Sequence, residues 1–380
     1  MPSRARRVLL AIVAAAAPSI GSCSTAVSSA LPSWVSPSAV AAISERQAVA
    51  ALSSMQSIEL TLPSEVSTGP VTMTYLRTKP SSKESGPPML LVHGFDISCL
   101  EYRRLLPLLE AEGIEAYAPC VPGWGFTDTA NMRSVGVEAK RAALLAFHDQ
   151  VLDGRPAVWV GASLGACMCL DVLLAKPGSV AKLASLDPGF FTPAPPAVPP
   201  FVGRLLLQNV LSAPAVRRSI AKQAYCEKDA QTDDAIAVGN LHIARAEWED
   251  DSLEWLLGGA YGDLGPSVPT ANAIPTLTLW GREDEVIPPE GFGAWPAAQT
   301  AKALPSGEIR WVERSGHTPH LEQPAVTAAA LAAFSRGEPI EGDATVPSAA
   351  EATLAAAREL AGAAATAAAE LVDAVKKRAA

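Results

Sequence analysis

The sequence predicts an α/β fold, an eight-stranded and mostly parallel sheet flanked by helices. Three observations carry that expectation. From about Ser57 short β-rich runs alternate with amphipathic segments. Two of the runs, Met89-Leu90-Leu91-Val92 and Ala157-Val158-Trp159-Val160, lack polar alternation, as strands buried on both faces do. The second of them leads into a glycine-flanked serine and then an apolar helical run, Ala166 to Ala175.

In chain order, the first 44 residues read as a targeting leader. Arg4, Arg6 and Arg7 precede the apolar run Val8 to Ala17, which is too short to span a bilayer comfortably, and Pro18 and the small residues Gly21, Ser22 and Cys23 follow. Ser24 to Ser44 is rich in Ser and Ala with no acidic residue, a composition that resembles a plastid transit peptide behind a signal peptide. Ile20-Gly21-Ser22-Cys23 also fits a loose lipidation box, so a secreted or lipid-anchored protein stays open.

Strands are expected near 57–62, 70–77, 88–93, 114–118, 156–161, 181–187, 274–280 and 308–313. The first part of the core spans 55–189. The stretch 190–270 opens with Pro193, Pro195, Pro196, Pro199 and Pro200 and continues with helical spacing. A structureless loop of that length is improbable, so the stretch reads as a helical cap between the sixth and seventh strands. The core resumes over 271–338. An Ala-rich tail, 345–380, predicts a helix from Ser348 to Arg378, with Glu351 near its start and Lys376, Lys377 and Arg378 near its end complementing the dipole.

About half of the residues are apolar and 18% are charged, which suits a buried core. The net charge is -9, and the leader holds three arginines and no acid, so the remainder is more acidic still. That excludes nucleic acid as a partner, because phosphate binding needs a concentrated basic surface. The six cysteines show no zinc spacing, and Cys167 and Cys169 read as small apolar residues of a buried helix.

Gly161-Ala162-Ser163-Leu164-Gly165 sits where a buried strand turns sharply into a helix, the setting of a nucleophile elbow. Ser185, by contrast, lies inside a strand. A serine hydroxyl is a weak nucleophile and needs an imidazole to take its proton, with a carboxylate holding the imidazole. Asp284 ends the run Thr278-Leu279-Trp280-Gly281-Arg282-Glu283-Asp284, and Asp187, before Pro188-Gly189, is the alternative acid. His317, on the loop after the last strand, is the base, ahead of His320. His148 and His242 are expected on helices in surface or core roles, and His93 in a structural role beside the oxyanion loop. The donors for a developing oxyanion are the backbone N–H groups of Leu164 and of Phe95, in His93-Gly94-Phe95-Asp96.

With these motifs the chain resembles the α/β-hydrolase superfamily over about 55–336, most closely plant and algal plastid hydrolase-like proteins. The matching stretches are Leu91-Val92-His93-Gly94-Phe95, Tyr102-Arg103-Arg104-Leu105 with Pro107-Leu108-Leu109, Pro122-Gly123-Trp124-Gly125-Phe126, Val238-Gly239-Asn240-Leu241-His242, Trp248-Glu249-Asp250, Gly258-Gly259-Ala260-Tyr261 and Gly316-His317-Thr318-Pro319-His320-Leu321-Glu322. The chain departs from the pattern at Cys120, where relatives carry Asp, and at Thr127, where Ser is common; both concern the shape of the site. Haloalkane dehalogenases and epoxide hydrolases share the outline but place Asp at the elbow, and Ser163 argues against both. The resemblance implies an α/β-hydrolase fold with a helical cap and a serine hydrolase of the esterase, thioesterase or meta-cleavage-product type. Its substrate would be small, apolar and ester-like, with neither metal nor organic cofactor. A non-enzymatic ligand binder and an acyltransferase using the same triad are the alternatives. Phe190, Phe191, Phe201, Trp248, Trp255 and Leu256 read as cap core or pocket lining, and the sequence says nothing of oligomeric state.

Overall fold

Runs of apolar residues with no polar alternation belong inside a sheet covered on both faces, and they are found there. The computed structural model describes residues 31–79, 86–193, 198–289 and 296–340. Eight strands form one sheet: β1 (Gln56–Leu60), β2 (Val71–Arg77), β3 (Met89–Val92), β4 (Ala116–Pro119), β5 (Ala157–Ala162), β6 (Val180–Leu186), β7 (Thr276–Gly281) and β8 (Glu308–Val312). Every expected strand has its counterpart, displaced by no more than a couple of residues at either end. Their lateral order is β1-β2-β4-β3-β5-β6-β7-β8. β1 and β2 pair antiparallel, as do β2 and β4, and from β4 across β3 to β8 every pairing is parallel.

All residues of β3, β5 and β7 are buried. The two-residue period of a strand sorts them between two cores. Leu91, Val158, Val160 and Leu186 meet Leu109 and Leu331 on one face, while Leu90, Val92 and Trp159 meet Leu144, Phe147 and Leu170 on the other. The covering helices are, in order, α1 (Pro37–Ala41), α2 (Arg46–Ser54), α3 (Leu106–Ala111), α4 (Val137–Val151) and α5 (Leu164–Ala175). After the insertion come α10 (Pro296–Ala303), α11 (Pro319–Glu322) and α12 (Pro324–Arg336). α12 starts on a proline, whose missing N–H costs nothing there, and ends at Gly337 in the left-handed conformation. Cys167 and Cys169 are buried in α5, where desolvation pushes the Cys167 thiol up to about 12 and the Cys169 thiol well above its ordinary value.

Between β6 and β7 the chain is helical, as its spacing predicts: α6 (Pro200–Leu206), α7 (Pro214–Gln223), α8 (Asp233–Asn240) and α9 (Trp248–Glu254), followed by shorter turns to Ala273. Thr232 caps α8 by accepting the N–H of Ala235 at 3.1 Å. Arg245, itself buried, ties the insertion to the core loop 123–129 by donating to the carbonyls of Gly123 and Thr127 and to Thr129 Oγ1. Glu254 accepts the Val135 N–H at 3.0 Å.

One boundary differs from the sequence reading. Residues 31–44 fall inside the expected leader, yet Val35 and Ile43 are buried in the core and Trp34 stacks on Phe126 with ring centroids 5.6 Å apart. The amides of Ser44 and Glu45 both donate to Asp234 of α8. The end of the expected leader is therefore part of the folded body. Residues 1–30 and the Ala-rich tail lie outside the described residues.

Candidate active site

β5 delivers Ser163 into α5 through a turn in which the serine takes φ 52° and ψ −117°, a conformation that costs an L-residue on the order of 1–3 kcal/mol. The turn is possible because Gly165 packs on β3: a Cβ there would sit 2.0 Å from the Val92 carbonyl oxygen. Ser163 is held by its own backbone, its N–H donating to Leu186 O at 2.8 Å and its carbonyl accepting from Ala166 and Gly189. Leu164 is the first residue of α5, so its N–H has no acceptor within the helix and lies at the positive end of the dipole.

β7 and β8 bring the acid and base loops together. A Cβ on Gly281, the last residue of β7, would lie 1.8 Å from the Gly316 carbonyl oxygen, so only glycine permits this approach. Glu283 closes the gap from the other side: its N–H donates to Ser315 O and its Oε2 accepts the Ser315 N–H. The neighbouring carboxylate, Asp284, is thereby free to face His317, whose Nδ1 lies 2.8 Å from Asp284 Oδ2. Asp284 Oδ1 accepts the N–H groups of Val286 and Ile287, which fixes the carboxylate in place.

Asp187, the alternative acid, is fully buried behind this pair and accepts the Gly281 N–H at 2.8 Å. Burial, reinforced by the charge of Asp284, raises its carboxyl well above the ordinary range. That direction favours its protonated form, beside an Asp284 carboxylate that bonds the imidazole. Among the described residues, Asp187, Asp284 and His317 are the His and carboxylate groups whose ligand atoms come close enough to hold a metal, all within 4.8 Å of one another. The His317 ring nitrogen that faces this cluster is already engaged by Asp284.

Ser163 and His317 line one cavity of about 270 Å³ with Gly94 and Phe95. The insertion adds Leu211, Ile220 and Ile236 to its wall, and the charged side chains Asp96, Glu101, Arg103 and Arg217 also reach it. A larger, open groove of about 750 Å³ between residues 134–138 and the insertion contains neither Ser163 nor His317. The smaller cavity is the one that holds the candidate serine and histidine.

The other histidines are otherwise engaged. His93 accepts the Val121 N–H at Nε2 and bonds Gly94 O through Nδ1, and burial lowers its pKa to about 4, so it is neutral beside the loop it braces. His320 lies 3.0 Å from Glu101 Oε1, and Glu101 Oε2 accepts the Gly94 N–H. His148 bonds Asp149 and the Arg155 carbonyl. His242 bonds Asp96, immediately after Phe95, a contact that the sequence reading did not assign.

Comparison with known proteins agrees with the fold. The sequence model of the alpha/beta hydrolase family matches residues 89–330. An alpha/beta hydrolase domain-containing protein of Arabidopsis thaliana, VTE7, is 27% identical over 263 residues, covering 66% of this chain and 74% of that protein. A pimeloyl-[acyl-carrier protein] methyl ester esterase of Vibrio atlanticus is 26% identical over 267 residues, 66% of this chain and 95% of that one. In structure, a thermophilic esterase from Thermogutta terrifontis superposes with a TM-score of 0.59 at 21% identity, covering 74% of this chain and 98% of its own.

Proposed function

Because the chain belongs to the alpha/beta hydrolase family, we propose that it is a serine hydrolase that cleaves an ester or similar acyl bond in a small apolar substrate. One observation carries the reading: a serine held at a strained strand-to-helix turn shares an apolar cavity with a histidine whose far nitrogen is tied to a buried carboxylate. In this reading Ser163 Oγ attacks the acyl carbonyl while His317 Nε2 takes its proton. Asp284 keeps the proton on Nδ1 and balances the imidazolium. The N–H groups of Phe95 and Leu164 hold the oxyanion of the tetrahedral intermediate. The proton then passes from His317 to the leaving alkoxide, the C–O bond breaks and Ser163 is left acylated. A water, deprotonated by His317, reverses the sequence and releases the acid.

The test is covalent labelling with a fluorophosphonate probe. Wild type labels, Ser163→Ala does not, and His317→Ala labels at least about 10³-fold more slowly. A folded wild type that fails to label overturns the reading. The apolar wall supports a substrate without charge near its acyl group. The leader composition, together with similarity to a plant protein, supports delivery to a plastid. Residues 1–54 fused to a fluorescent protein would then accumulate in plastids of an algal or plant cell, and secretion of the fusion would refute the address.

A further inference from the structure

The loop that carries the expected oxyanion donor is gripped from two sides. On the core side, His93 and Glu101 hold Gly94, as described above. On the other side, Asp96 receives three hydrogen bonds from three separate segments of the insertion. Arg217 of α7 donates to Oδ2 at 2.7 Å, and His242 Nε2 and Trp248 Nε1 lie 2.9 and 2.8 Å from Oδ1. Arg217 is itself fixed by donating to Asn240 Oδ1 at 2.6 Å. These groups are largely removed from solvent: the side chains of Arg217 and His242 are 9% and 1% exposed, and that of Asp96 is 14% exposed. Burial pushes the Asp96 carboxyl up, but the bonds and charges of His242 and Arg217, with Trp248, outweigh it and hold the pKa at about 2. Asp96 also adopts φ 49°, so the backbone just after Phe95 is bent into the left-handed region. Phe95 touches the insertion too, its ring 6.0 Å from that of Trp255.

We infer that Asp96 is a positioning residue: through it, docking of the insertion sets the backbone of Phe95 and so completes the oxyanion hole. The insertion is anchored to the core elsewhere as well, by Arg245 on Thr127 and Thr129 and by Glu254 on Val135. Those anchors reach loops that do not line the reactive cavity, whereas Asp96 lines it beside Phe95. The insertion therefore roofs the cavity and, by its grip on one carboxylate, also sets the donor. Because hydrogen bonds to an oxyanion strengthen only as charge develops, loosening this grip lowers turnover more than it lowers binding.

The inference rests on the serine reading, and its test separates the two. The fluorophosphonate labelling rate and p-nitrophenyl butyrate kinetics are measured for wild type, Asp96→Asn, Trp248→Phe and Thr129→Val, each with its thermal midpoint. Asn tolerates the left-handed backbone and keeps the shape of the side chain while losing its charge. Trp248→Phe removes a single donor, and Thr129→Val removes one hydrogen bond of the remote anchor, leaving Arg245 on the Gly123 and Thr127 carbonyls. The expected result is a fall of tenfold or more in kcat and labelling rate for Asp96→Asn, several-fold for Trp248→Phe, KM within about twofold for both, and wild-type kcat for Thr129→Val whatever its midpoint. Wild type that labels, with Asp96→Asn labelling at the same rate, overturns the positioning role and leaves the serine reading intact. Kinetic losses that merely follow the thermal midpoint across all three variants overturn it equally. A wild type that does not label removes the serine reading itself.

Discussion

Two aspartates in this site, Asp187 fully buried and Asp96 partly so, have pKa values displaced in opposite directions, and the pH dependence of stability separates them. Asp187 is raised, so it favours the fold while protonated, and that contribution is lost as pH climbs from the ordinary carboxylate range toward its folded value. Asp187→Asn, which mimics the protonated group, is expected to raise the thermal midpoint at pH 7 by a few degrees and to change kcat by less than about tenfold. Asp284→Asn is expected to lose about 10²–10⁴-fold in kcat, since the amide cannot hold the imidazole in the same tautomer. Equal losses for the two variants would remove the distinction drawn between the acids, and a larger loss for Asp187→Asn would reverse it. Asp96 is lowered, so its contribution is present above the ordinary value of 3.8 and fades as pH falls toward about 2. A thermal melt series from pH 5 to 2 should therefore show a shallower acid loss in Asp96→Asn than in wild type. At this scale the sequence exposes what has a local signature. Ser163 sits in a five-residue motif and His317 in a loop after a strand, so both could be named as candidates from the sequence, and both line one cavity. The role of Asp96 was not, because its partners lie 121, 146 and 152 positions away and no spacing rule links them.

Strands were readable because those at the centre of the sheet are buried on both faces and leave uninterrupted apolar runs. The first helices were harder. α1 is short and weakly apolar, and only Val35 and Ile43 beside it are buried, so a Ser- and Ala-rich stretch concealed a docked segment. Glu45, just after it, pairs with both Arg103 and Arg104, and Arg103 reaches the cavity wall. A chain beginning at Arg46 should melt several degrees below one beginning at Leu31, since it uncovers apolar surface and leaves Arg103 without its carboxylate. Identical melting curves for the two chains would show that the segment contributes nothing. The close contact of β7 with the base loop makes a second prediction of this kind. Gly281→Ala places a methyl group where Gly316 O now sits, so it should cost at least about 3 kcal/mol in a urea melt and lower kcat at least tenfold by parting Asp284 from His317.

The whole molecule places a cavity of about 270 Å³ beneath the insertion, at the small end of the range for ligand sites. Activity on p-nitrophenyl esters is accordingly expected to be highest for short acyl chains, with butyrate turned over at least about tenfold faster than palmitate in kcat/KM. A preference for palmitate would mean that the half-exposed Ile220 and Val286 at the rim mark a way in to a larger space. The insertion also grips the base loop, since the His317 N–H donates to Ala224 O at 2.7 Å and Glu322 accepts the Cys226 N–H. That grip has a consequence for the order in which a ribosome delivers the parts. The oxyanion loop and the serine elbow emerge first, the residues that hold Asp96 and the base loop next, and the histidine last. With the roles proposed above, a nascent chain would carry Ser163 for some 150 residues of synthesis before His317 is made, and would stay chemically silent until nearly all of its fold has left the tunnel.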